Sequence, residues 1–333
     1  MSEKILHFCT LFDSNYLTRG LALYESLRKY CPEFILYVVA FDDKCYEILS
    51  KLKLPNLIAI SLKEFESPEL LEVKKTRTQQ EYCWTCTSSV ISYTIKKYNL
   101  DMCTYVDADL LFFANPELIL DEMGEKSVLL TEHRLPDNSP KSKLAGQYCV
   151  QFMPFKNNDN GMNALTWWKD KCVEWCYARI EDGKYGDQKY LDDWTDRFPG
   201  VHVMDQLGGG VAPWNMFRYK IINDNGKFFV LEKSTGRKKP LIFYHFHSTK
   251  IFSFLGKVKS TYWPYDINLD LSTKQIYNTY NSYIYSAVES VRIIELDFNL
   301  GFAKTSNYLR FTVKKSIETL KRSVKILIKS FLQ

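Results

Sequence analysis

The sequence predicts an α/β fold in which a mixed, mostly parallel sheet is flanked by helices. Two observations support this prediction. Short apolar runs alternate with segments of helical periodicity over residues 4–106. Clusters of polar turn residues, such as Asp13-Ser14-Asn15 and Asp42-Asp43, follow the apolar runs. The length of 333 residues accommodates one large module or two unequal ones.

The elements follow in a regular order up to the fourth strand. The expected strands are Lys4–Phe12, Phe34–Phe41, Leu57–Ile60 and Met102–Val106. The expected helices run from Leu17 up to Cys31-Pro32, over Lys44–Lys53 and over Glu81–Tyr98. This rhythm of strands and helices is typical of parallel pairing, because parallel neighbours need a crossover connection.

The second half of the chain is less regular. A loop is expected over Leu135–Ala145, a helix over Ala164–Ile180, and another loop over Gly183–Tyr190. Three glycines lie within Leu207–Asn215, and a late strand is expected over Leu241–His247. No internal repeat interrupts this order.

Charge and cysteine content narrow the classes of protein. The formal net charge of +5 is modest and concentrated in the last thirty or so residues, so it does not indicate a nucleic-acid partner.

Residues 1–4 lead directly into a strand-like run, and no apolar stretch could span a bilayer, so we expect a cytoplasmic protein. Nine cysteines are then expected to be reduced. Cys83-x-x-Cys86 and Cys172-x-x-x-Cys176 lack the second paired spacing of a zinc site, and buried structural thiols are favoured.

Asp107-Ala108-Asp109 follows the strand Met102–Val106 directly. Ligands of open parallel sheets collect beyond the carboxyl ends of the strands. Carboxylates two residues apart on a strand project to one side, so the pair can hold a hard cation such as Mn²⁺ or Mg²⁺. Two solvated loop carboxylates are the alternative for the triplet taken alone.

Two further segments carry polar groups suited to such a site. His245 and His247 lie two apart on the expected late strand, where an imidazole could complete a metal site and Lys250 could meet a diphosphate. Asp187-Gln188 lies in a Gly-flanked loop and could orient sugar hydroxyls. Hydrogen-bonded strand-end histidines and a simple helix cap are the respective alternatives.

These motifs carry a resemblance to a known family. Thr104-Tyr105-Val106-Asp107-Ala108-Asp109-Leu110, Asp187-Gln188-Lys189-Tyr190-Leu191, and His245-Phe246-His247-Ser248 with Lys250 occur in this order. The chain resembles the GT-A (Rossmann-like) glycosyltransferases of family eight and related bacterial nucleotide-diphospho-sugar transferases. Arg77, Glu81-Tyr82 and the stretch Trp167–Trp214 also fit these relatives. The resemblance covers residues 4–255.

The resemblance implies a role for each matching residue. Asp107, Asp109 and His245 correspond to the metal ligands, with Asp107 also near the ribose. The implied donor site includes Thr10, Phe12, Arg77 and Lys250. The catalytic pair that faces the sugar corresponds to Asp187 and Gln188. The resemblance also implies Mn²⁺ or Mg²⁺ as the cofactor. The implied partners are a nucleotide-sugar donor, expected to be a UDP-sugar, and a glycan or lipid-linked acceptor.

The sequence departs from the family pattern at two places. The usual His-x-x-Gly reads His245-Phe246-His247-Ser248, which leaves His247 as an alternative ligand. The usual Asn-x-Gly of the middle strand reads Cys149-Val150-Gln151, so the identity of the donor sugar stays open. The resemblance implies retention of the anomeric configuration. If the enzyme inverted, the base could be Asp187, Glu132 or Asp205.

Three other functions compete with sugar transfer. A nucleotidyltransferase should carry a Gly-rich phosphate loop near the first strand, and Cys9–Asn15 contains no glycine. A non-catalytic sugar-binding module could use the carboxylates as a lectin-like ion site. An oxidoreductase is disfavoured because no Gly-x-Gly-x-x-Gly follows the first strand.

The expected domain organisation has three parts. Residues 1–255 form the GT-A catalytic domain, and residues 256–302 form an aromatic-rich connecting region. Residues 303–333 form a basic amphipathic helix, because apolar residues recur every three or four positions among lysines and arginines. Such a C-terminal helical extension can lie on an anionic membrane at its inner face, or pack on protein.

Overall fold

Strands and helices alternate through the first 106 residues, as the periodicity predicts. The structure is a computed structural model that describes residues 5–136, 146–254, 257–261 and 270–304. Its strands are β1 (Leu6–Phe12), β2 (Phe34–Ala40), β3 (Leu57–Ser61), β4 (Met102–Val106), β5 (Leu110–Phe112), β6 (Val128–Glu132), β7 (Tyr148–Cys149), β8 (Phe152–Lys156), β9 (Val201–Val203), β10 (Tyr219–Asp224), β11 (Lys227–Glu232), β12 (Lys238–Pro240), β13 (Phe243–His245), β14 (Ile251–Phe254) and β15 (Lys257–Ser260). Its helices are α1 (Leu17–Tyr30), α2 (Asp43–Leu52), α3 (Leu62–Phe65), α4 (Pro68–Lys74), α5 (Gln79–Tyr98), α6 (Glu117–Met123), α7 (Asp159–Glu174), α8 (Trp194–Arg197) and α9 (Leu271–Ile294).

The main sheet is mixed and mostly parallel, which confirms the predicted fold class. Its strand order is β3-β2-β1-β4-β8-β6-β7, with β9 beside β6. Neighbours within β3-β2-β1-β4 are parallel, and β8 runs antiparallel between β4 and β6. Apolar side chains of α1 and α2 cover one face, and those of α5 and α7 cover the other. The carboxyl ends of β1 and β4 therefore lie side by side at one edge.

Side-chain caps fix where two long helices begin. Thr78 and Glu81 form a capping box, so α5 starts at Gln79, two residues before the prediction. Asn158 accepts a hydrogen bond from the backbone N–H of Gly161, so α7 starts at Asp159 rather than Ala164. The prediction that this helix reaches Ile180 is wrong, because the backbone turns extended at Trp175.

The late strand is shorter than the predicted Leu241–His247. β13 ends at His245 and pairs antiparallel with β5. Ser248 then takes a left-handed conformation, with φ at 54°, which cannot continue a strand. His247 therefore lies beyond the strand, and the expectation that both histidines project from it is wrong.

Residues 271–294 of the aromatic-rich region form the long helix α9. Its buried face includes Ile276, Tyr277, Tyr280 and Ile284, and it packs against α1. Within the described ranges, no helix combines the length and apolar character needed to cross a membrane. The predicted basic helix 303–333 lies outside the described residues beyond Lys304, as does the predicted loop at positions 137–145.

Candidate metal and nucleotide-sugar site

Asp107-Ala108-Asp109 forms a tight turn between β4 and β5. The backbone N–H of Asp107 donates to the Gln151 carbonyl at 3.0 Å, which extends the β4–β8 ladder by one residue. After the turn, β5 pairs with β13, and the backbone N–H of Phe246 donates to the Asp109 carbonyl at 2.9 Å. This pairing carries His245 to the acidic turn, although 136 positions separate it from Asp109.

Asp107, Asp109 and His245 form a group that could hold a metal ion. Each offers one ligand atom, and these atoms all lie within 4.8 Å of one another. His245 Nε2 is 3.0 Å from Asp109 Oδ1 and 3.7 Å from Asp107 Oδ2. In the part of the chain that the structure describes, no other group of three His, Cys, Asp or Glu side chains has this geometry. Two carboxylates and one imidazole suit Mn²⁺, and they also suit Mg²⁺.

Burial and the mutual charges of the group shift the three pKa values in different directions. Burial raises the pKa of Asp107 to about 7, and the charge of Asp109 adds to this rise while His245 opposes it. Burial acts on Asp109 in the same direction, but the charge and hydrogen bond of His245 bring its pKa to about 2. Burial lowers the pKa of His245, yet Asp109 outweighs it and holds that pKa well above its usual value. A divalent cation can take the place of the proton that His245 shares with the carboxylates.

The aromatic rings of Trp214 and His247 lie beside the imidazole of His245. The indole of Trp214 lies 5.2 Å from the His245 ring and 5.4 Å from the His247 ring, measured between centroids. The two imidazoles lie 5.6 Å apart, so they stay neighbours although only His245 is in the strand. His245 is 4% exposed, whereas His247 is exposed. Of these two histidines, only His245 belongs to the group with Asp107 and Asp109.

Asp187 lies next to this group. Burial raises the pKa of Asp187 to about 8, and the charge of Asp107 adds to the shift. The Asp187 carbonyl accepts the indole N–H of Trp168 at 2.9 Å, and the neighbouring Gly186 has φ at 54°, close against Trp84. Gln188 begins a short 3₁₀ helix, Gln188–Leu191, within the segment predicted as a loop.

The other predicted donor-site residues add no ligand atom to the group. Thr10 is fully buried, and its hydroxyl has no hydrogen-bond partner among the described residues. Phe12 packs against Gly20. Arg77 stacks on Tyr177, with its guanidinium carbon 3.7 Å from the ring centroid, and donates to the Val173 carbonyl. Lys250 is exposed after the turn at Ser248.

Several neighbours of the group were not predicted as site residues. Gln151 Oε1 lies 2.9 Å from His245 Nδ1. The charge of Asp109, followed by burial, raises the pKa of Tyr16 to about 12. Burial raises the pKa of Cys149, but His133 and His245 reverse this and bring it to about 6. The available signal for Cys149 and Gln151 is that they stand where the family motif is broken. Trp214 ends a stretch that fits the relatives, and Tyr16 carries no signal in the sequence.

A buried arginine holds the glycine-rich segment that precedes Trp214. Arg134 is 8% exposed, has φ at 52°, and donates to the carbonyls of Gln206 and Gly209 at 3.1 and 2.9 Å. A Cβ at Gly210 would lie 2.7 Å from Thr131 Cγ2, and φ there is 73°, so only glycine fits without strain. The indole N–H of Trp214 then reaches the His133 carbonyl at 2.9 Å.

Comparisons with known proteins identify relatives and a fold. No family model matches the chain. The chain is 31% identical to the uncharacterized protein YfnD of Bacillus subtilis (strain 168) over 303 residues, which is 89% of this chain and 94% of YfnD. It is 30% identical to YfnF of the same organism over 304 residues, 89% of this chain and 97% of YfnF.

Among solved structures, the chain is similar to the galactosyltransferase LgtC in complex with donor and acceptor sugar analogues. The TM-score is 0.52 at 12% identity, over 84% of this chain and 96% of that one. This likeness concerns the fold and confirms the GT-A architecture that the motifs predict. The chain therefore belongs to the family of YfnD and YfnF of Bacillus subtilis, and it has the GT-A fold of nucleotide-sugar transferases.

Proposed function

We propose that this protein is a metal-dependent glycosyltransferase that moves a sugar from a nucleotide-diphosphate donor to a glycan or lipid-linked acceptor. The observation that carries the proposal is the Asp107–Asp109–His245 group, placed at the carboxyl edge of a GT-A sheet. That edge is where ligands of parallel sheets bind. The LgtC structure contains donor and acceptor sugar analogues, which supports sugar transfer as the type of reaction.

Mn²⁺ or Mg²⁺ is the proposed cofactor, held by Asp107, Asp109 and His245, with His247 as the alternative imidazole. When bound, the ion supplies positive charge to the diphosphate leaving group. The protein's own contribution is to hold the buried Asp109 and the partly buried Asp107 beside His245, so that one ion can contact all three. Carboxylate oxygens are ligands that hard divalent cations prefer.

The remaining roles follow the family resemblance. In this proposal residues 1–255 are the catalytic domain, and Asp187 and Gln188 face the transferred sugar. Thr10, Phe12, Arg77 and Lys250 bind the donor, which is a UDP-sugar. Transfer retains the anomeric configuration, and an NMR time course in which the product first appears with the inverted anomer contradicts this part.

Donor binding and turnover test the proposal together. A thermal-shift screen of UDP-, GDP- and CMP-sugars should give the largest rise in Tm with a UDP-sugar plus Mn²⁺, and EDTA should remove that rise. The same mixture should show slow donor hydrolysis. Binding without hydrolysis favours the sugar-binding module instead. Pyrophosphate release from a nucleoside triphosphate plus a sugar phosphate favours the nucleotidyltransferase.

We further propose that the protein works in the cytoplasm and that residues 303–333 attach it to the inner face of an anionic membrane. The basis is the sequence pattern of apolar and basic residues in that segment. Truncation after Phe302 should abolish sedimentation with phosphatidylglycerol vesicles and leave donor hydrolysis intact. Equal sedimentation of the two proteins contradicts the membrane role and leaves the sugar transfer proposal standing.

A further inference from the structure

Gln151 contacts two of the three candidate metal ligands. Its backbone carbonyl accepts the N–H of Asp107 at 3.0 Å, and its side-chain Oε1 lies 2.9 Å from Nδ1 of His245. The residue is fully buried in the turn between β7 and β8. The side chain of Gln151 therefore orients His245 from the Nδ1 side, and the Cys149 thiol is a second neighbour of this ring. The backbone of Gln151 also fixes the start of the acidic turn.

The contact with His245 decides which ring nitrogen faces the carboxylates. An amide oxygen can only accept a hydrogen bond, so Nδ1 of His245 must carry the proton. A neutral imidazole protonated at Nδ1 has its lone pair on Nε2, the atom that lies 3.0 Å from Asp109 and 3.7 Å from Asp107. Histidines that bind metals are commonly oriented by such a hydrogen bond on the opposite nitrogen.

The amide of Gln151 has few other attachments. Its nitrogen Nε2 is buried and has no hydrogen-bond partner in the described part of the chain. A Cβ placed on Gly210 would be 3.6 Å from that nitrogen, so the glycine leaves room beside it. The side chain is thus held by its bond to His245 and not by a wider polar network.

We propose that Gln151 is a positioning residue that holds His245 as a metal ligand through Nε2 and so sets the affinity of the site for its divalent ion. The inference rests on the metal site of the proposed function and assigns that site an outer residue of this chain. An amide performs the task without adding a further negative charge to a place that already contains Asp107, Asp109 and Asp187.

Two substitutions at Gln151 separate hydrogen bonding from packing. Gln151→Met keeps a similar volume and removes the acceptor, so Mn²⁺ affinity measured by EPR titration should fall roughly 10–100-fold. Gln151→Glu restores an acceptor for Nδ1–H and should keep the affinity within a few-fold of wild type. Gln206→Met is the matched control, because the side-chain oxygen of Gln206 has no hydrogen-bond partner within the described ranges. The Mn²⁺ affinity of this variant should equal that of wild type.

Nitrogen NMR of the wild-type imidazole gives an independent measurement that needs no variant. With Mg²⁺ bound, His245 should carry its proton on Nδ1; a proton on Nε2 overturns the inference. Equal Mn²⁺ affinity of Gln151→Met and wild type, with both folded, also overturns it while leaving the metal site intact. A wild-type protein that binds no Mn²⁺ overturns both this inference and the metal dependence of the proposed function.

Discussion

Buried side chains occur both in the parallel half of the sheet and at the edge around Asp109, but burial has opposite consequences in the two places. Leu36, Val38 and Val39 of β2 are fully buried among other apolar side chains, so their burial stabilises the fold. Asp109 and His245 are 9% and 4% exposed, and their burial opposes ionisation in both groups. Charged groups removed from water are costly unless they are paired, and the pairing at this edge is incomplete.

The two regions also differ in backbone pairing. β1, β2 and β3 pair in continuous parallel register. The acidic turn instead joins β4 to β5, and His245 reaches it only through the short antiparallel pair of β5 and β13. The first region therefore stabilises the fold, and the second holds polar groups in place. Substitutions should therefore separate stability from function.

The largest effect is expected from Asp109→Asn. The amide cannot supply the charge that a divalent ion needs, and His245 loses its ionic partner. Metal-dependent charge stabilisation is worth several kcal/mol, so Mn²⁺-dependent donor hydrolysis should fall by roughly 10²–10³-fold. In EDTA, the substitution should change the free energy of unfolding by much less than the several kcal/mol of charge stabilisation that the metal provides.

Asp205→Asn is the control for this experiment. Asp205 forms an ion pair with Arg237, and both side chains are exposed. The Asp205→Asn variant should therefore hydrolyse the donor at the wild-type rate. Equal rates for Asp109→Asn and wild type contradict the metal role of the acidic turn. Loss of activity in Asp205→Asn instead points to Asp205 as a catalytic base.

Leu36→Ala should show the reverse pattern. The leucine is fully buried in β2, and truncation leaves a cavity, so the unfolding free energy should fall by about 2–5 kcal/mol. Urea unfolding measures the loss, and Mn²⁺ affinity of the folded protein should stay within error of wild type. A large change in Mn²⁺ affinity with little loss of stability contradicts the division of roles between the two regions.

The sequence predicts the parallel half of the sheet better than it predicts the edge around Asp109. β1 to β4 and their helices follow from periodicity and turn residues, because neighbouring positions decide local structure. The Asp107–Asp109 pair is also visible, since it follows an apolar strand. The approach of His245 depends on the pairing of β5 with β13, and the contact with Gln151 depends on a turn that no local pattern marks. Long-range pairing of this kind leaves no signal within a window of a few residues.

The effect of Asp187→Asn on stability should differ from the effects above in that it depends on pH. The folded protein holds a proton on Asp187 up to a pKa of about 8, whereas the unfolded chain releases it near the usual value of 3.8. Between these values the folded state binds more protons, so rising pH lowers the stability of the metal-free wild type. Asparagine removes this dependence.

The gain in Tm of Asp187→Asn over wild type should therefore grow from about pH 5 to about pH 8 in EDTA, and thermal unfolding measures it. Asp205→Asn again serves as the control. Its hydrogen bond to Arg237 lowers the pKa of Asp205, so that carboxylate is ionised throughout the range and its effect should be constant. A pH-independent difference for Asp187→Asn means that Asp187 is already ionised in the folded protein. In that case a neighbouring positive group must balance it, and the incomplete pairing that sets this edge apart from β2 would not extend to Asp187.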